Sequence, residues 1–299
     1  MNRYFFIALA SLSLLVGCTE DINLKVASGA NKIVIEGSIE NGKKAQVMVT
    51  RNSPLTSAVD FSKILVTDAK VYVSCSGVID TLSFGIDSSA AIPFLYLGKK
   101  IVGSPGQTYN LTVVADGQTF SSFTTIPTPV KLDSVYWKAD PPHDTLGFAW
   151  GHLTDPAGLG NNYRWYAKLP TKHILLNGKD FVLNRRFVPA DGATFNDKFV
   201  DGRSFEFPED RGYDPTEASY TQTLDIKTLG YYKPTDTIYI RFCSIDDAAH
   251  TFYSTYEAEL GTNGNPFASP VTILGNINGG ALGVWAGFGA TYDTIYPRH

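Results

Sequence analysis

The sequence predicts an all-β fold: an N-terminal immunoglobulin-like β-sandwich followed by a second mainly β domain with one short helix. Three observations carry this expectation. Apolar and polar residues alternate in short runs. In KIVIEGSI, Ile33, Ile35 and Ile39 share one face while Glu36, Ser38 and Glu40 share the other. The chain holds 16 prolines, 27 glycines and 13% aromatics, a composition of strands and turns rather than long helices. Hairpin dipeptides separate the runs, notably Asn41-Gly42 and Asp116-Gly117.

In chain order, the first element is a leader, residues 1–17. Arg3 gives a basic start, and Tyr4 to Val16 is an unbroken apolar and small-residue stretch. As a helix it spans roughly 20 Å, short of the ~30 Å of bilayer hydrocarbon, which reads as a secretory signal rather than a membrane span. The run Leu15-Val16-Gly17-Cys18 resembles the bacterial lipobox. That resemblance implies a diacylglyceryl group on the Cys18 sulfur and cleavage just before it. Two or three acyl chains then hold a protein stably on a membrane, where one holds it only reversibly. Residues 18–31 are polar and suit a lipidated tether.

Strand patterning occupies 32–126. KIVIEGSI and AQVMVTRNS flank the Asn-Gly turn, AKVYVSCSG, DTLSFG and FLYLGKKI follow, and TYNLTVVADGQTFSSFTT forms a second hairpin. The regular spacing of short strands predicts the immunoglobulin-type sandwich. IPTPV (126–130) marks the boundary, since its two prolines interrupt a ladder and stiffen the connection. The second β domain, 130–299, runs through DSVYWKAD, TLGFAWGHL, NYRWYAKL, KHILLNG, DFVLNRRFV and DTIYIRFCSID, with a looser stretch over 191–223. DDAAHTFYSTYEAEL predicts a helix. Ala249, Phe252, Tyr253, Tyr256 and Leu260 repeat at helical spacing, Asp246 or Asp247 can cap the start, and Gly261 can end it. The tail returns to strand character around a Gly-Gly kink.

Net charge excludes some partners. Removing residues 1–17 takes away Arg3 alone and moves the formal charge from -4 to -5, which gives nucleic acid no electrostatic footing. No cofactor fingerprint, P-loop, HExxH, CxxC or GxSxG is present, so the expectation is a protein that is not an enzyme and carries no cofactor. The nearest histidine group is His143, Asp144, His152 and Asp155, across TLGFAWGHL. Leu146, Phe148, Trp150 and His152 alternate onto one face there, which reads as core rather than a metal shell. PEDRGYD reads as a solvated turn. In NYRWYAKL, Tyr163 and Trp165 read as core, with Arg164, Tyr166 and Lys168 facing outward; Trp285 also reads as core. Cys75 and Cys243 read as two separate buried thiols.

Four stretches, TTIPTPVKLDSVYW, DPAGLGNNYRWY, IRFCSIDDAAHTFYSTY and above all NPFASPVTILGNINGGALGVWAGF, resemble the DUF4249 family of Bacteroidetes lipoproteins. The resemblance covers nearly all of the chain after the leader. It departs in placing Ala281 between Gly279-Gly280 and Leu282, where that family usually has Leu directly after the glycine pair. Genes of this family often lie beside TonB-dependent outer-membrane receptors. The resemblance thus implies a lipid-anchored outer-membrane protein, exposed at the cell surface and accessory to such a transporter in ligand or nutrient uptake. Surface lipoproteins of this kind tend to carry acids just after the cysteine, and Glu20 and Asp21 fit that export signal. A surface adhesin or structural envelope protein is the alternative, and a polymer hydrolase a more distant one.

Overall fold

The computed structural model describes residues 32–53, 61–86, 94–176, 179–183, 185–213, 230–262, 268–269 and 271–297. The leader, the tether, Cys18, Glu20 and Asp21 lie outside the described residues. The fold is mostly β with one full-length helix.

The first half supplies β1 (Ile33–Glu40), β2 (Lys44–Arg51), a single helical turn α1 (Phe61–Ile64), β3 (Lys70–Cys75), β4 (Val78–Ile86), β5 (Phe94–Val102), β6 (Thr108–Ala115) and β7 (Gln118–Thr125). Both expected hairpins form. Gly42 has φ +77°, and Lys43 N–H donates to Glu40 O at 2.9 Å. At the second turn Asp116 and Gly117 both take positive φ, 51° and 73°, the pairing a two-residue primed turn requires. β4 joins two layers: Val78–Leu82 pair with β3, and Ser83–Ile86 pair with β5. The layer of β1, β2 and β5 folds over that of β3, β6 and β7. Ile35, Ile39, Val47 and Val49 from one meet Val71, Val73, Leu111 and Val113 from the other in a single core. This is the sandwich that the two-residue period predicts.

The second half supplies β8 (Ser134–Ala139), β9 (Gly147–Thr154), β10 (Asn162–Lys168), β11 (Lys172–Leu176), β12 (Lys179–Leu183), β13 (Val188–Asn196), β14 (Ser204–Glu209), β15 (Ile238–Ile245), helix α2 (Asp247–Thr262) and β16 (Leu282–Ile295). The stretch expected to be looser, 191–223, thus contains most of β13 and all of β14. A three-stranded sheet, ordered β14-β9-β8, packs over β10 and β15. Trp137, Ala149 and Leu153 from it meet Tyr163, Trp165, Ile240 and Phe242.

β16 connects the halves. Its first part pairs parallel with β1, from Val34↔Leu282 to Glu40↔Phe288, and the strand pairs antiparallel with β15 from Ile245↔Phe288 to Ile238↔Ile295. The result is an eleven-stranded sheet ordered β13-β10-β15-β16-β1-β2-β5-β4-β3-β6-β7. Trp285 on β16 is fully buried in the N-terminal core and donates its indole N–H to Tyr109 O at 2.9 Å.

Helix α2 covers the other face of this sheet. Asp246 caps it, its Oδ1 accepting from Ala249 N–H at 2.8 Å. The helix runs through Gly261 to Thr262, one residue past the expected stop. Ala249, Phe252 and Tyr253 pack on Tyr166, Cys243 and Phe288, while Tyr256 and Leu260 stay exposed. That packing corrects the expected outward face of β10. Arg164 and Tyr166 are buried, because α2 lies over them and Glu257 neutralises Arg164. The two thiols are free: Cys75 is half-buried on β3, and Cys243 is fully buried on β15, where burial pushes its pKa up to about 11. Among the described residues, no helix is long and apolar enough to cross a membrane.

Candidate functional site

The three-stranded sheet β14-β9-β8 turns one face to the core and the other to solvent. On β9 the inward residues are Gly147, Ala149, Gly151 and Leu153; Phe148, Trp150 and His152 point outward. This reverses the expected placement of the Phe148-Trp150-His152 face as core. Steric room is the cause. A Cβ at Gly151 would lie 2.9 Å from Phe207 Cζ and 3.3 Å from Trp165 Cζ3, and one at Gly147 would lie 2.1 Å from Lys138 O. Phe207 and Trp165 fill the space at Gly151 and the β8 backbone that at Gly147, so the inner face of β9 takes small residues and the large ones turn out.

The outward face is built from three strands. Tyr136 on β8 sits directly across from Trp150 on β9, with ring centroids 6.3 Å apart and planes within 14°. Lys138 Nζ stands 4.6 Å from the centre of the Trp150 ring. Phe148 meets Tyr231 at 5.1 Å, the Tyr231 hydroxyl donates to Asp140 at 3.1 Å, and His143 meets the Tyr231 ring edge-to-face at 6.1 Å. Polar groups finish the opposite end. The His152 Nε2 and Ser204 Oγ atoms are 2.7 Å apart, Thr154 Oγ1 donates to Asp133 at 2.8 Å, and Glu206 accepts from Tyr136. Burial first, and then this bond to Glu206, hold the Tyr136 hydroxyl above its usual pKa range.

Ser204, His152 and Asp133 stand in the order of a nucleophilic triad, so their geometry has to be judged. His152 Nδ1 is 3.8 Å from Asp133 Oδ2, beyond hydrogen-bond length, and that oxygen already accepts from Thr154. The two side chains are 35% and 43% exposed, in water rather than in the dry setting that makes such a pair effective. An acyl-transfer site also needs N–H groups aimed at a developing oxyanion, whereas around Ser204 the backbone runs in the β9–β14 ladder. The trio is a locally hydrogen-bonded group on the outer face of the sheet.

Two further features bring polar groups together. Asp155, Asp197 and Asp201 bring carboxylate oxygens within 4.8 Å of one another, the donor type of hard cations. Their oxygens are engaged locally. Asp155 accepts from the Tyr163 hydroxyl at 2.5 Å and Gly202 N–H at 3.0 Å, Asp197 from Gly160 and Asn161, and Asp201 from Gly158 at 2.6 Å. The cluster therefore fastens loop 155–161 to loop 197–202. Of His143, Asp144, His152 and Asp155, the histidine group nearest in sequence, it gathers only Asp155, since His152 faces out from β9. Its other two members, Asp197 and Asp201, lie in the stretch 191–223, where the sequence carries no regular alternation.

A cleft of about 680 Å³ also opens at the seam of the two cores, beside Pro127, Pro129, Asn161, Asp246 and Asp247. Its acids hold the fold together: Asp246 caps α2 and accepts from Thr124, and Asp247 accepts from Asn162 at 2.7 Å. The polar groups on the outer face of β14-β9-β8 are paired with one another in the same way.

A family model described as a domain of unknown function, DUF4249, matches residues 19–292 of the chain. No curated protein matches it.

Proposed function

Because the chain belongs to the DUF4249 family, which carries no assigned function, we propose a role from its own residues. In this reading it is a lipid-anchored, non-enzymatic binding protein of the outer membrane. It displays a rigid β-frame at the cell surface and serves a TonB-dependent transporter in the uptake of a ligand or nutrient. The observation that carries the reading is Cys18, set behind Leu15-Val16-Gly17 at the end of a leader too short to span a bilayer. Glu20 and Asp21 support surface export, and the aromatic and polar face of β14-β9-β8 supports binding over catalysis.

Capture of the native protein from membranes in gentle detergent tests this. It is expected to bring down a large barrel receptor, and Cys18→Ser is expected to move the protein into the soluble fraction. Recovery of the protein alone removes the transporter from the reading. A Cys18→Ser chain that stays with the membrane removes the anchor.

A further inference from the structure

Where the chain leaves the fold toward Cys18, large apolar side chains lie uncovered in a row. Lys32 fixes the point of exit: its N–H donates to Asn52 Oδ1 at 2.8 Å, and its carbonyl accepts from Asn52 N–H at 3.0 Å. Two residues on, Val34 pairs with Leu282, the first residue of β16, which is 43% exposed. Its neighbour Gly283 touches the backbone of Gly275, where a Cβ would lie 2.4 Å from Gly283 O. Ile273 and Leu274, just before that glycine, are exposed as well. Their stretch is bonded to helix α2, Leu274 N–H to Thr255 Oγ1 at 3.1 Å and Val271 N–H to Glu259 Oε2 at 2.8 Å. Beside those two helix residues, Tyr256 and Leu260 are exposed in turn. Packing does not require them there. α2 reaches the sheet through Ala249, Phe252 and Tyr253, so polar residues at 256 and 260 would leave that contact whole. A contiguous apolar strip kept at the surface marks a place where something else covers it.

We propose that the strip of Leu282, Ile273, Leu274, Tyr256 and Leu260 rests on the lipid bilayer, its side chains entering the zone between headgroups and acyl chains. This placement rests on the lipid anchor at Cys18 and names the surface that the anchor brings to the membrane. It needs no transporter.

Reach is the first reason for lipid as the occupant. Residues 18–31 separate Cys18 from Lys32, and that length of chain spans at most about 50 Å. The strip begins beside Lys32 and is therefore kept about that close to the membrane or closer. Tyr296, past the far end of β16, stands roughly 45 Å further along the strand.

Chemistry is the second. Aliphatic side chains beside a tyrosine are the types that a bilayer interface takes up. The acids of α2 at the strip are already engaged, Glu257 with Arg164 and Glu259 with the Val271 N–H, so they do not hold the strip in water. Size argues against a folded protein in this place. A stable partner covers about 800 Å² a side, more than five partly exposed side chains supply.

The test is fluorescence quenching of the intact lipoprotein on phosphatidylcholine vesicles, with and without bromine on the acyl chains. Leu282→Trp, Leu274→Trp and Tyr296→Trp each add one indole at an exposed position, and the quenching of the parent's own tryptophans is subtracted. We expect bromine to quench the Leu282→Trp and Leu274→Trp indoles at least twice as strongly as the Tyr296→Trp indole. Adding Leu260→Glu to Leu274→Trp is expected to halve that quenching or more while the protein stays on the vesicles. All four positions are exposed, so melting temperatures near the parent's separate lost seating from lost folding. Equal quenching at both ends of β16 overturns the proposal, as does quenching that Leu260→Glu leaves unchanged. A second copy covering the strip would give a cross-linked dimer without the excess quenching, and overturns it too. Flotation reads the anchor separately. Protein that floats with the vesicles but shows no excess quenching loses this face and keeps the anchor; protein that does not float loses the anchor, and this face with it.

Discussion

At the scale of single residues, three successive backbone N–H groups, of Lys99, Lys100 and Ile101, converge on one oxygen of Asp80 at 2.8, 2.7 and 3.0 Å. Asp80 is 1% exposed, on the inward side of β4. The β2–β5 pairing slips between Lys44 and Gln46, just opposite this part of β5, and the carboxylate takes up donors the ladder leaves over. Burial alone would raise the Asp80 pKa, but the three N–H bonds and the nearby Lys100 outweigh it and hold the carboxyl below its usual range. A depressed folded pKa contributes stability above the unfolded value of about 3.9 and loses it as pH falls through the folded one. Asp80→Asn, which keeps shape and removes charge, is therefore expected to cost about 2 kcal/mol at pH 7. The gap to the parent should close in urea titrations taken below about pH 4. A gap that stays constant with pH would mean that the charge plays no part.

At the scale of elements, β9 shows what alternation can and cannot say. The period of two in TLGFAWGHL sorts the side chains correctly into two faces, but bulk then points to the wrong one as the interior. The interior is decided by volume supplied from elsewhere, here by Trp165 on β10 and Phe207 on β14, and the sequence of β9 holds no record of it. Gly151→Val should therefore destabilise by about 1–3 kcal/mol through overpacking, although valine is the better strand former. A thermal melt in which the valine variant matches or exceeds the parent would contradict this account of the face reversal. β10 errs the same way for the same reason: Arg164 and Tyr166 look like surface until α2 lies over them. Where a run needs only its own residues its pattern suffices, as in the two hairpins and the Asp246 cap. The candidate binding face was not legible, because it depends on which side of one strand a neighbour had already filled.

At the scale of the whole molecule, the question is how two cores share one sheet. Apart from the cluster beneath α2, core residues up to Ile126 and those from Leu132 onward form separate clusters, joined in the chain by the Pro127–Pro129 connector. Yet β16, close to the C-terminus, crosses back: Trp285 sits in the first core, and Ile295 ends the same strand in the second. Asn276 holds Trp285 in place by accepting its backbone N–H and donating to its carbonyl, both at 2.9 Å. The close approach of β1 depends on Gly37, where a Cβ would meet the indole at 2.7 Å. A second tie runs beside it, Arg241 of β15 to Glu40 of β1 at 2.7 Å, with Tyr292 donating to the same carboxylate. A strand shared in this way makes the two cores lose stability together. Trp285→Ala should cost about 3–5 kcal/mol, the range for removing a buried aromatic side chain. The chain contains four tryptophans, so this variant leaves Trp137, Trp150 and Trp165, all in the second half. Their fluorescence then reports the second half alone, although the substitution lies in the first core. If β16 couples them, the fluorescence midpoint in urea falls with the overall unfolding midpoint. A fluorescence midpoint that keeps the parent's value, with a separate earlier transition by circular dichroism, would show two cores that merely abut.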